Sequence, residues 1–187
     1  MKDVYVNDTF PKELAQNLRE YAMTRETQGH FEGGYEIVEF WYDSDSLMRT
    51  AVEWTRQAFP ALNGRKFQQG WFLLYDAECQ GVGVHADPGS LNVNLWITPD
   101  DAILDWKKNG LIVYDKKRPD DWDWDDYNAN GRKIRAFLRE NQATSRTINY
   151  KHCRAILFDG RVFHKTNGVH TRKGAKHKRV NCTLVFE

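Results

Sequence analysis

Apolar and polar positions alternate along this chain in two distinct rhythms, and the change of rhythm near residue 66 divides it. Before that point the spacing is helical. Residues 11–23 set Leu14, Leu18, Tyr21 and Ala22 on one side, with Asp8 and Thr9 as cap candidates and Pro11 near the first turn, which predicts an amphipathic helix. Residues 46–59 repeat the pattern with Leu47, Ala51, Trp54 and Ala58, and Pro60 ends it. Between the two helices, Tyr35 to Trp41 reads as a strand.

From residue 66 the period is that of strands. Trp71 to Tyr75 is a buried strand, Gly81 to Val84 supplies the glycines of a close backbone approach, and Leu91 to Thr98 is a second strand stopped by Pro99. Arg154 to Phe163 is an apolar run with a turn at Asp159-Gly160. The last run alternates cleanly, with Arg179, Asn181 and Thr183 on one face and Val180, Cys182 and Leu184 on the other. Two helices packed outside a curled antiparallel sheet would cover its open face and edges. The expected fold is mainly β with flanking helices: a double-stranded β-helix, the cupin-like jelly roll.

A chain of 187 residues suits one domain, with 1–60 as lead-in and 66–187 as the jelly-roll core. The formal charge of +1 argues against a strongly polyanionic partner. Cys79, Cys153 and Cys182 are odd in number and scattered, so neither a disulfide frame nor a zinc knuckle is expected. That usage fits a reducing compartment. The amino terminus lacks an apolar core of signal-peptide length, and no run approaches about 18 apolar residues, so a soluble cytoplasmic protein is expected.

One segment interrupts the strands. Residues 116–146 contain Asp120 to Tyr127, with Trp122 and Trp124 set among aspartates, and then a helical stretch from Arg132 to Glu140. One reading is a surface excursion whose tryptophans pack down on the sheet. The other is a lid that brings Trp122, Trp124 or Tyr127 to a substrate. The basic run from Arg161 to Arg179 could meet phosphates, but its glycines suit a solvated loop better.

The chemistry resides in His85-Ala86-Asp87, in the distant His164, and in Arg179 at the start of the last strand. Two histidines and one carboxylate can hold a divalent iron on one triangular face and leave the opposite face open. An H-x-D alone carries little weight in a chain with 6 histidines. Its position beside a turn at a strand end matters more. His170 competes with His164 but follows the strand in a less fixed loop, whereas His164 follows an apolar run. Asp87 could also cap the Pro88-Gly89-Ser90 turn. Asn92 and Asn94 share one strand face, and Asn94 is the better candidate for lining the pocket.

This ordered set, H-x-D, a distal His after a strand and an Arg opening the final strand, resembles the 2-oxoglutarate and Fe(II) dependent dioxygenases, most closely their prolyl 4-hydroxylase-like branch. The resemblance covers about residues 66 to 187. It implies His85, Asp87 and His164 as iron ligands and Arg179 as the partner of the distal carboxylate of 2-oxoglutarate. Tyr75 and Thr183 resemble further cosubstrate-binding positions, although Asp76-Ala77-Glu78 stands where the family pattern expects a glycine after the tyrosine. The implied cofactors are Fe(II), 2-oxoglutarate and O2, and the implied reaction is hydroxylation with release of succinate and CO2. An Asp at 87 leaves no vacant place for halide. A small-molecule, amino-acid or peptidyl substrate fits this reading. Nucleic-acid demethylation fits less well, because the second Arg that such enzymes carry six residues after the first is here Val185. A non-catalytic metal-binding jelly-roll module is the alternative outside enzymes.

Overall fold

A computed structural model describes residues 4–40 and 46–187. Strand β1 (Val4–Asn7) precedes α1 (Lys12–Met23), and β2 (Gln28–Phe31) and β3 (Tyr35–Phe40) form a hairpin before α2 (Ser46–Ala58). Trp41, expected to end the third strand, lies outside the described residues. The core strands follow: β4 (Phe67–Tyr75), β5 (Glu78–Cys79), β6 (Leu91–Trp96), β7 (Leu111–Lys117), β8 (Ser145–Ile148), β9 (Arg154–Asp159), β10 (Val162–Thr166), β11 (Val169–His170) and β12 (Arg179–Phe186). Helix α3 (Gly131–Glu140) interrupts them between β7 and β8.

The strands form a jelly roll. A seven-stranded sheet has the order β1-β9-β6-β12-β4-β3-β2, and a three-stranded sheet has the order β10-β7-β8. A bridge between His85 and His164 extends the smaller sheet by the H-x-D segment. All named pairings are antiparallel, as a double-stranded β-helix requires.

Alternation along β12 sorts its side chains as its sequence pattern demands. Val180, Cys182 and Leu184 join Phe72, Leu74, Val93 and Leu95 in an apolar layer covered by Leu14, Leu18, Met48 and Val52 of α1 and α2. The opposite face of the large sheet carries Arg179, Asn181, Thr183 and Asn94 into the interior. Each fully buried Leu or Val in the covered layer contributes on the order of 1.5–3 kcal/mol. The helices therefore clamp the outer face and leave the inner face to chemistry.

Two local expectations need correction. Asp8 and Thr9 do not cap α1: the Thr9 hydroxyl donates to Asn7, Asp8 accepts from Lys151 and Arg154, and Pro11 occupies the cap position. The ion pairs across to the 151–154 turn offer Asp8 more than a helix end would. The buried stripe of α2 is centred on Met48, Ala51, Val52 and Thr55, with Leu47, Trp54 and Ala58 only partly buried at its flank. Trp54 there packs edge-on against Phe10 at 4.7 Å, so an aromatic contact with the chain before α1 holds that flank.

The insertion after β7 is a packed element. Ile134 and Leu138 of α3 lie with Phe163, Val84, Ala86 and Tyr127 in one cluster on the outer side of the smaller sheet. Since successive residues of a strand face opposite ways, an outward Phe163 turns His164 inward.

Candidate active site

Three side chains from two chain segments meet inside the roll. His85 Nε2 lies 3.6 Å from Asp87 Oδ1, and His164 Nε2 lies 3.3 Å from Asp87 Oδ2. One donor atom from each of the three falls within 4.8 Å of the others, and among the described residues this is the group able to hold a metal ion. The backbone fixes the arrangement: His85 N–H donates to His164 O at 3.0 Å, and His164 N–H donates to His85 O at 2.8 Å. His170 is placed elsewhere, paired with Glu78 in the β5–β11 ribbon.

Hydrogen bonds also select the useful tautomer of each ring. Nδ1 of His85 is 2.8 Å from Gly83 O, and Nδ1 of His164 is 3.0 Å from Val162 O. A carbonyl can only accept, so each Nδ1 carries a proton, and Nε2 is the nitrogen that each ring turns towards Asp87 and a metal. Burial, reinforced by the His164 ring, lowers His85 from 6.5 to about 4. Burial pushes the Asp87 carboxyl up, but the two histidines and the Asn92 amide outweigh it, so its pKa falls below the usual value. At neutral pH the set is thus a carboxylate beside a neutral His85, a donor set suited to a divalent cation.

Asp87 is held from three directions. Its N–H donates to Gly160 O at 2.8 Å, its Oδ2 accepts from Asn92 Nδ2, and the imidazoles flank it. The Pro88–Ser90 turn does not use its carboxylate; Ser90 N–H donates to Phe186 O instead. Asn92 therefore orients Asp87, while Asn94 lines the cavity.

The triad borders a cavity of about 860 Å³. Towards the Tyr75 end of β4, Arg179 is only 2 % exposed, and its guanidinium carbon lies 4.6 Å from the Tyr75 ring centre and 5.6 Å from that of Tyr150. Its Nε and Nη1 are buried and find no hydrogen-bond partner among the described residues. Among the described residues no acidic side chain forms an ion pair with it, although the adjacent Lys178 pairs with Glu36. Leaving a buried guanidinium unpaired costs several kcal/mol, roughly, so this position calls for an anion.

Between these poles the wall is polar. Thr183 donates to Asn94 Oδ1 at 2.8 Å, and Asn181 donates to both, at 3.3 Å to Asn94 and 3.2 Å to Thr183. Asn181 Oδ1 is buried and unpaired. The Tyr75 hydroxyl has a long contact of 3.4 Å with Thr166 Oγ1, which also accepts from Val82 N–H. The period of two on β12 had already set Asn181 on the polar face with Arg179 and Thr183, but Thr166 and Tyr150 escaped the sequence reading. Inward alternation from His164 could have found Thr166; only tertiary contact brings Tyr150 to Arg179.

The insertion packs on the roll and also reaches the cavity. Trp122 packs against Phe137 and Phe163, and Tyr127 is buried, as a structural cover would have it. Trp124, half exposed, and Asn128 reach the cavity wall.

No protein-family model matches the sequence, and no curated protein matches it significantly. Solved structures do. The non-heme alpha-ketoglutarate dependent epimerase SnoN from nogalamycin biosynthesis superposes with a TM-score of 0.70 over 100 % of this chain and 78 % of its own, at 14 % identity. A prolyl-4-hydroxylase from Pseudomonas putida gives 0.64 over 99 % and 92 %, at 15 % identity. The fold is that of the 2-oxoglutarate/Fe(II) oxygenases, prolyl 4-hydroxylases among them. HygX from Streptomyces hygroscopicus, solved with nickel and 2-oxoglutarate bound, gives 0.67 over 98 % and 82 %, at 9 % identity. Oxygenase-fold neighbours thus include a hydroxylase and an epimerase, so this fold leaves the reaction outcome to the residues of each site. Among the described residues no helix is long and apolar enough to cross a membrane.

Proposed function

We propose that this chain is an Fe(II)- and 2-oxoglutarate-dependent oxygenase that hydroxylates an amino-acid, peptidyl or small-metabolite substrate, releasing succinate and CO2. The observation that carries this reading is the buried Arg179 guanidinium with Nε and Nη1 unpartnered, in the same cavity as the triad. A metal-binding module without a cosubstrate has no use for it.

The residues suit both groups. Two imidazole nitrogens and one carboxylate oxygen are a donor set for ferrous iron that leaves further coordination positions free. His85 and His164 offer Nε2, and Asp87 offers Oδ1, because Asn92 engages Oδ2. Arg179 takes the distal carboxylate of 2-oxoglutarate with the planar fork of donors that such a group matches. Tyr75 supports that guanidinium through its ring, and Asn94 and Thr183 line the path between the poles. Bound iron and 2-oxoglutarate together supply the oxidising chemistry with O2. The chain contributes placement and a fixed ligand geometry.

The test is binding followed by turnover. Protein loaded with Mn(II) should bind one 2-oxoglutarate in calorimetry, and screening candidate substrates aerobically with Fe(II) should reveal one that drives succinate release. Absence of any 2-oxoglutarate binding by the metal-loaded protein would refute the proposal.

A further inference from the structure

Ala86 sits between two of the candidate ligands, is completely buried, and is gripped on both of its backbone polar groups by the insertion. Its N–H donates to Tyr127 O at 2.8 Å, and its carbonyl accepts from Asn128 Nδ2 at 3.1 Å. The backbone bonds of its neighbours stay within the roll, His85 with His164 and Asp87 with Gly160. Ala86 is therefore where the H-x-D segment is tied to something outside the jelly roll.

The grip depends on an unusual turn. Asp125–Ala129 is a π-helical turn, closed by Asn130 N–H donating to Asp125 O at 2.7 Å. A regular α-helix would direct the Tyr127 carbonyl to the amide four residues on; here it faces Ala86. Single π turns of this kind concentrate at functional sites. Trp124 immediately precedes the turn and lines the cavity with about half of its surface exposed. One short element thus touches the cavity and holds the ligand-bearing backbone.

We propose that Asn128 is a positioning residue for the metal face, and that the 124–128 turn transmits occupancy of the cavity at Trp124 to the H-x-D segment. This inference rests on the oxygenase reading. Without the Asn128 amide, Ala86 O would lose its side-chain donor, and His85 and Asp87 would be held less firmly at the spacing a metal needs. Groups that orient ligands from behind typically matter about 10–100-fold in metal affinity.

Co(II) serves as the probe, because its visible d–d bands report ligand geometry directly. Asn128→Ala and the near-isosteric Asn128→Asp, which cannot donate to a carbonyl, should each bind Co(II) about tenfold more weakly than wild type and show altered d–d bands. Affinity and bands indistinguishable from wild type in both variants would overturn the proposal. A second arm uses the wild type alone: Co(II) loading should slow amide exchange across 125–130 as well as across 84–88. Exchange at 125–130 indifferent to Co(II) while 84–88 responds would overturn it too. Wild-type protein that binds no Co(II) would sink the oxygenase reading and this inference together, which separates the two failures.

Discussion

Arg179 and Tyr75 are register partners across β12 and β4, and the guanidinium lies over the phenol ring at 4.6 Å with two of its nitrogens buried and unpaired. A cation on an aromatic face retains about 1–2 kcal/mol of attraction, too little to offset burial without a counter-charge. The position is costly for the empty protein and favourable once an anion arrives. Replacing Arg179 by Met should therefore raise the melting temperature of the ligand-free protein while weakening 2-oxoglutarate binding by at least about 30-fold, roughly 2 kcal/mol. Paired thermal melts and calorimetry on metal-loaded protein check both signs.

The metal face should fail one ligand at a time. His85→Ala, Asp87→Ala and His164→Ala should each abolish succinate formation and lower metal affinity, whereas Arg179→Met should leave metal affinity nearly intact. Metal retention after dialysis, measured by elemental analysis, distinguishes the two classes of variant.

Gly160 offers an indirect route to the same face. A Cβ there would lie 2.6 Å from Gly89 O and 2.9 Å from Asn92 Oδ1, while the Gly160 carbonyl receives the Asp87 amide. Gly160→Ala should push Asn92 off Asp87, costing about 1–3 kcal/mol of stability and reducing metal affinity. Chemical denaturation and metal titration of this variant test the expectation; unchanged values in both would show that Asn92 does not orient Asp87.

The pH dependence of metal-free protein follows from His85. Its folded pKa of about 4 lies below the ordinary value of 6.5, so between those values the unfolded chain binds more protons than the folded one. This contribution to stability is complete above pH 6.5 and is lost as pH falls towards 4. The loss should be on the order of 3 kcal/mol, and His85→Asn should flatten that part of the profile in urea titrations.

Much of this was legible because β-sheet alternation is local. The inward set Arg179, Asn181 and Thr183 follows from a period of two, whereas the glycines at 81 and 83 do not mark a close backbone approach: a Cβ at Gly81 would meet the Thr166 side chain, and one at Gly83 would meet open space. What stayed hidden depends on pairs far apart in sequence. The short strands β1, β2, β5, β8 and β11 carry too few residues for a periodic signal and exist because a partner strand accepts their hydrogen bonds. Asp8 looked like a helix cap because its ion-pair partners lie more than 140 residues away. The π turn at 125–129 has no sequence signature, and the divided roles of Trp122 and Trp124 depend on it.

The most direct test of the central claim is an anaerobic titration of Fe(II) and then 2-oxoglutarate into the purified protein, followed in the visible region. A weak charge-transfer band should appear only when both are present, saturate at one equivalent of each, and vanish in the His164→Ala protein. Wild-type protein that shows no band at saturating Fe(II) and 2-oxoglutarate would contradict the account.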